Sequence, residues 1–299
     1  MAKTGKAPFK DWFHNAAART ILRAALIVPY AARVRLVGWT MTHLVAPFTG
    51  WRKRIRENLA LALPDLPEAE VQRIVRAVPN NVGRTLIEIY SGHEFLARVA
   101  QSPRVGPGVD ALEKALAAGK PLVLLTAHLG NYDAVRGTLS QQGLKLGALY
   151  KPMENAAFNE HYVQAISTIA SPVFPTDGRG IKSLVRHLKD GGAIGIVGDV
   201  GSTKAPVLQF FGHDAGTPLS AAEWALKYDA EVIPIYGIRQ PDGLSFELFI
   251  DVPIARGTAQ DMMQKFNDSV EAVVRDNLDQ WFWIHRRWKT LRRKRAAAT

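Results

Sequence analysis

The chain has 299 residues, 47% of them hydrophobic, 22% charged and 9% aromatic, which excludes a disordered, collagenous or multi-span membrane protein. It holds no cysteine, so disulfides, Cys-ligated zinc, iron–sulfur clusters and a Cys nucleophile are excluded. The net charge of +11 sits at the ends: residues 1–60 carry eleven Lys/Arg against two acids, and residues 281–299 carry seven basic residues and no acid. Basic ends of this kind suit nucleic acid, anionic lipid headgroups or an acidic partner protein. Plain solubilising tails are the alternative.

The first sixty residues read as a basic, amphipathic helical segment that contacts a membrane, and residues 61–299 as the main domain with a basic C-terminal tail. The uncharged runs Ala24–Ala32 and Leu36–Trp51 are separated by Arg33 and Arg35 and interrupted at Pro29 and Pro47. Crossing the hydrocarbon core takes about 20 apolar residues, and each central arginine costs roughly 2.5–3.5 kcal/mol on insertion scales. Neither a spanning helix nor a cleaved signal peptide fits. The segment is expected to lie in the interface, with Trp39, Phe48 and Trp51 at the headgroup boundary and Arg33 and Arg35 on anionic phosphates. A buried helix pair is the alternative.

Ile55–Ala100 reads as helix broken at Pro64 and Pro79, and Ala111–Ala118 as helix ending at Gly119. Pro121–Ala127 is a short apolar run of the buried-strand type. Further strands are expected at Lys145–Tyr150, Ala193–Val197, Glu231–Ile238 and Ser245–Ile250. Helices are expected from Asn131, over Asn155–Ala170, Arg179–Lys189, Thr217–Tyr228 (capped by Thr217, with Pro218 in its first turn) and Thr258–Leu278. Strand–helix alternation with fully apolar strands predicts an α/β fold with a mostly parallel central sheet flanked by helices. Ligands in such sheets sit beyond the carboxyl ends of the strands. Two strands end there in polar residues, at His128 and at Gly198-Asp199.

No G-x-S-x-G, G-x-x-x-x-G-K-[ST], H-E-x-x-H or G-x-G-x-x-G occurs, so serine hydrolase, NTPase, zincin and dinucleotide readings lack support. What is present is His128-Leu-Gly-Asn-Tyr-Asp133, and no other histidine in the chain has an acid five residues on. Gly130 permits a tight turn, Asn131 can cap the next helix, and Asp133 in its first turn could fold back on the imidazole. A carboxylate there would fix the tautomer and stabilise the imidazolium formed when the other nitrogen takes a proton. With no protein nucleophile in the motif, the natural substrate is an external hydroxyl, and acyl transfer from a thioester suits the pair without a metal or cofactor. Donors near Gly130 and Lys151 could serve the oxyanion.

The motif and its strand–His–helix setting, together with further blocks, resemble the late-stage lipid A (lauroyl/myristoyl) acyltransferase family. That family includes phosphatidylinositol mannoside acyltransferases and is related to glycerophosphate acyltransferases with a His-x4-Asp motif. The further blocks are Asn81–Glu88, Tyr150-Lys151-Pro152, Gly191–Asp199, Phe210-Phe211-Gly212, Arg239 and above all Gln280–Lys289 (QWFWIHRRWK). The resemblance covers roughly residues 20–290. It implies a glycerophosphate acyltransferase-like fold with His128 as general base and Asp133 as its partner. It also implies an acyl-carrier-protein or coenzyme A thioester donor, a membrane-lipid acceptor, and a site at the cytoplasmic face of the bacterial inner membrane. Tyr-Asp stands here where lipid A members usually have Trp-Glu, and Val200 follows Asp199 where they commonly have Gln. The acceptor thus stays open between a lipid A precursor and another hydroxylated lipid.

Candidate substrate-binding residues are Asn131, Lys151, Asp199, Phe211 and Arg239. Lys151 and Arg239 suit donor or acceptor phosphate, and Phe211 suits an acyl-channel wall, with solvated charge and core packing as the respective alternatives. The rival class is a non-catalytic basic, aromatic-rich protein that binds nucleic acid or anionic membranes through Trp281, Trp283 and Trp288 with their neighbouring arginines. It leaves His-x4-Asp at a buried strand end unexplained, so no nucleic-acid partner is expected.

Overall fold

The computed structural model describes residues 9–289, so the tail beyond Lys289 and the first eight residues lie outside the described residues. Helices α1 (Phe9–Ile27) and α2 (Tyr30–Thr40) meet at Pro29, which stands at the N-cap of α2. A π-helical turn (Met41–Val45) and a turn through Pro47 lead into α3 (Trp51–Ala62), which spans residue 60. Next come α4 (Glu68–Tyr90) and α5 (Gly92–Val99). Pro79 was expected to break α4 and lies buried inside it instead. Proline removes one backbone donor there, but α2 packs along α4, with Gly38 against Asn80 and Gly83 against Val37. The Thr42 hydroxyl also donates to the Arg76 carbonyl one turn earlier. Tertiary contact carries the helix across.

The α/β body follows as β1 (Arg104–Val105), α6 (Val109–Ala117), β2 (Leu122–Thr126), α7 (Tyr132–Gln141), β3 (Leu146–Tyr150) and α8 (Ala156–Ile169). It continues through β4 (Val173–Pro175), α9 (Gly178–Lys189), β5 (Ala193–Val197), a β6 (Val207–Phe210)–β7 (His213–Gly216) hairpin and α10 (Ser220–Lys227). It closes with β8 (Glu231–Arg239), β9 (Phe246–Ile250) and α11 (Ala259–Asp276). The sheet order is β1-β9-β8-β2-β5-β3-β4, with β8, β2, β5, β3 and β4 mutually parallel and β9 antiparallel to β8. Strand β2 shows why it reads as an unbroken apolar run. Val123 and Leu125 pack into the core on one face, Leu122 and Leu124 into the core on the other.

Several expected details differ. Helix α10 starts at Ser220 without a side-chain cap, because the Thr217 hydroxyl donates to Ala215 and accepts from Arg287 and Asn267. Helix α11 does begin on Thr258, in a capping box with Asp261. Among the described residues no helix is long and apolar enough to cross a membrane. Arg33, expected at a membrane surface, is buried and binds Glu94, Ser91 and the Leu26 and Val28 carbonyls. Trp51 packs partly buried against the core, whereas Arg35 and Trp39 are exposed.

The end of β8 is tied to α4 by a buried ion pair. Arg239, expected on substrate phosphate, forks onto Glu88, with Nη1–Oε1 2.5 Å and Nη2–Oε2 2.7 Å, and its Nε donates to Asn81 at 2.7 Å. Glu88 is fully buried and also accepts from the Asn131 amide at 2.8 Å. Removing one partner strands a buried charge, so Arg239→Met should cost about 3–5 kcal/mol of stability in denaturant melts. Unchanged stability with activity alone lost would return Arg239 to the substrate.

Candidate active site

The site is set by strand register. Strands β2 and β5 pair in parallel with Thr126 opposite Val197, so His128 and Asp199 each lie two residues past the pair. The Gly198 amide donates back to the Thr126 carbonyl at 2.8 Å and keeps the two chains together beyond the strands. A Cβ on Gly198 would lie 2.6 Å from the Phe266 ring, so glycine is required at this turn. His128 Nδ1 then lies 2.7 Å from Asp199 Oδ1. The other oxygen, Oδ2, accepts from the His128 amide at 3.0 Å and from Trp281 Nε1 at 2.9 Å.

Asp199 is buried. Burial alone would raise its pKa, but the His128 imidazole and its hydrogen bonds, with His285 beyond, draw it below the usual carboxylate range. An ionised carboxylate only accepts, so His128 Nδ1 is the donor in this contact. His128 itself is about a quarter exposed.

The imidazole's carboxylate is therefore Asp199 and not Asp133. Asp133 does sit in the first turn of α7, but its side chain pairs with Arg136, and Arg136 is held in turn by the Ala170 carbonyl. A carboxylate and a guanidinium three residues apart on one helix face meet more readily than a carboxylate reaching back across the turn. Asn131 caps α7 as expected, accepting from the Asp133 amide at 2.9 Å, while its own amide is spent on Glu88. Of the donors near Gly130 that could serve the oxyanion, the Gly130 amide is taken by the Gln280 carbonyl at 3.1 Å. Gly130 has φ +54°, and a Cβ there would strike the Gly237 carbonyl.

The C-terminal block builds the rest of the site. Residues 280–282 run antiparallel to the 128–130 turn, with Leu129 bridged to Trp281 and the Phe282 amide donating to the His128 carbonyl at 2.9 Å. Trp281, Trp283 and Trp288 are buried around Phe210 and Phe211, so these rings form core and present no stacking platform. Phe211, expected along an acyl channel, lies inside this cluster, away from the cavities at His128. His285, which the sequence reading passed over, lies edge-on to His128 with ring centroids 4.4 Å apart. Its place in the Gln280–Lys289 block was the available signal.

Two cavities open on His128. One, of about 430 Å³, runs between the sheet and α7–α8, and carries Leu124, Gly195 and Ala148 in one cross-strand row, with exposed Lys151 at its rim. The other, of about 280 Å³, lies against α4 and is lined by Val78, Val82, Leu86, Ile89 and Phe282. His128, Asp199 and His285 could each turn a ligand atom toward one cation, these atoms lying within 4.8 Å of one another. Both Asp199 oxygens already accept hydrogen bonds, which a metal would have to displace.

Burial pushes His285 down to about 4, with His128, Arg287 and Lys289 acting in the same direction and Asp199 against it. The folded state therefore holds it neutral: the stability this gives is complete above pH 6.5, its ordinary value, and is lost as pH falls toward 4. Denaturation at pH 7 and pH 4.5 should show a loss of about 2–3 kcal/mol from this source. His285→Gln should flatten the pH dependence by that amount; an unchanged slope would contradict the assignment.

The family model described as bacterial lipid A biosynthesis acyltransferase matches residues 9–290. A lipid A biosynthesis acyltransferase of Haemophilus influenzae is 24% identical over 90% of this chain and 88% of its own length. The lipid A biosynthesis lauroyltransferase of Escherichia coli is 24% identical over 90% and 89%. A phosphatidylinositol mannoside acyltransferase of Mycobacterium tuberculosis is 23% identical over 80% and 78%.

Proposed function

The chain belongs to the bacterial lipid A biosynthesis acyltransferase family, and from that premise we propose an O-acyltransferase that moves a fatty acyl chain from a thioester to a hydroxyl of a lipid A precursor. The observation that supports it most is the 2.7 Å contact between His128 and a buried, threefold-anchored Asp199 at the meeting point of two cavities. The donor is the thioester of acyl carrier protein or coenzyme A. The protein works at the cytoplasmic face of the inner membrane, with exposed Trp39 toward the lipid.

His128 Nε2 takes the proton of the acceptor hydroxyl as its oxygen attacks the thioester carbonyl. The imidazolium that forms is stabilised by Asp199 through Nδ1–H. The tetrahedral oxyanion collapses, the carbon–sulfur bond breaks, and the imidazolium returns the proton to the leaving thiolate. General-base assistance supplies roughly 10²–10⁴-fold. Lys151, at the cavity rim, is positioned to approach the oxyanion or a donor phosphate. The acyl chain lies in the larger cavity, and the acceptor approaches from the side of α4.

Two measurements test this. Asp199→Asn should lower kcat by about 10²–10⁴-fold per mole of folded enzyme, and Asp133→Asn far less. The reverse order would make Asp133 the partner. Gly195 faces the larger cavity with room for a Cβ at 3.5 Å from Leu146. Gly195→Leu should shift the products seen by mass spectrometry to shorter acyl chains. An unchanged profile at full turnover would place the chain elsewhere.

A further inference from the structure

The outer side of α2 and the turn after it carries an apolar stripe. Leu36, Trp39, Leu44 and Phe48 are all exposed, Phe48 at 88%. The opposite side, with Val34, Gly38 and Thr42, is buried. From Leu36 to Trp51 there is no Asp, Glu, Lys or Arg. Directly past the stripe the character reverses. Gly50, Lys53 and Arg54 face Arg286 and Lys289 across a cavity of about 460 Å³, which Glu57 also lines. The two walls come from distant parts of the chain and are locked together one turn deeper. There the Asn58 amide donates to the Trp283 carbonyl at 2.6 Å and to that of His285 at 2.9 Å.

An apolar edge followed by four cations around a single acid matches a bilayer surface layer by layer, acyl boundary first and phosphates above it. We propose that this pocket seats the phosphate of an anionic phospholipid headgroup while Leu44 and Phe48 enter the acyl boundary. The cavity shares no lining residue with the two that open on His128, which separates it from the path of the reacting groups. The inference rests on the membrane-surface reading above and adds to it a discrete site with a headgroup preference. It also reassigns the anion-binding role expected of Arg33, which is buried, to Lys53, Arg54, Arg286 and Lys289.

The test is flotation of the full chain with vesicles of phosphatidylcholine alone and of phosphatidylcholine with roughly one-third phosphatidylglycerol, a composition that carries the surface charge at issue. A cation near an anionic surface is worth about a factor of five in partitioning. Lys53→Ala/Lys289→Ala should therefore lose about 25-fold on the anionic vesicles and little on the zwitterionic ones. Lys114→Ala/Lys182→Ala, which removes the same charge from α6 and α9, should lose little on either. Equal losses in the two pairs would reduce the effect to net charge and overturn the site, as would wild-type binding indifferent to phosphatidylglycerol. A raised KM for acyl-carrier thioester in detergent, with vesicle binding unchanged, would assign the pocket to the donor and overturn it too. Trp39→Ser/Phe48→Ser checks the underlying reading separately: full retention on zwitterionic vesicles would remove the membrane contact itself. Lys53, Lys289, Trp39 and Phe48 are exposed, so each substitution should leave a folded protein, which circular dichroism checks.

Discussion

The parallel register of β2 and β5 is the constraint on which the site depends. Thr126 opposite Val197 brings the two strand ends out side by side, and the same offset of two residues turns a histidine and an aspartate toward each other. Every neighbouring feature holds that offset. Gly198 leaves room for the Phe266 ring, Trp281 fixes one carboxylate oxygen, and Gly130 turns the chain past His128 with its amide locked to Gln280. A shift of one residue in this pairing would turn both side chains to opposite faces.

The surrounding polar network is buried. Glu88 on α4 binds Arg239 at the end of β8 and Asn131 at the start of α7, which joins the helical layer to both sides of the His128 turn. Arg287 does the same further on, reaching the Gly216 carbonyl, Thr217 and Asn267. Leaving any of these groups unpaired would carry the full desolvation penalty. The network thus fixes geometry around the His128–Asp199 pair.

Much of the fold was legible because it follows from periodicity. The apolar runs at residues 121–127, 193–197 and 231–238 became the central parallel strands, and Asn131, Asn155 and Thr258 cap the helices they precede. The β6–β7 hairpin and the short edge strands β1 and β4 carry too few residues to show a pattern. His128 was visible as a polar residue closing a buried strand. The carboxylate that touches it is Asp199 and not the expected Asp133, because sequence spacing measures local reach, whereas this contact spans 71 residues and depends on register. Charge misled in the same way. Arg33 and Arg239 looked like ligands for anions, yet each neutralises an acid within the protein, while four cations gather around one pocket at Lys53, Arg54, Arg286 and Lys289.

The most direct measurement of the central claim is acyl transfer from a labelled acyl-carrier-protein thioester, and in parallel from labelled acyl-coenzyme A, into a lipid extract containing lipid A precursors. Wild type and His128→Ala are compared, with products identified by mass spectrometry. The account predicts an acylated lipid with wild type alone, and none above background with the variant. Equal product from His128→Ala would contradict a mechanism in which this imidazole takes the hydroxyl proton.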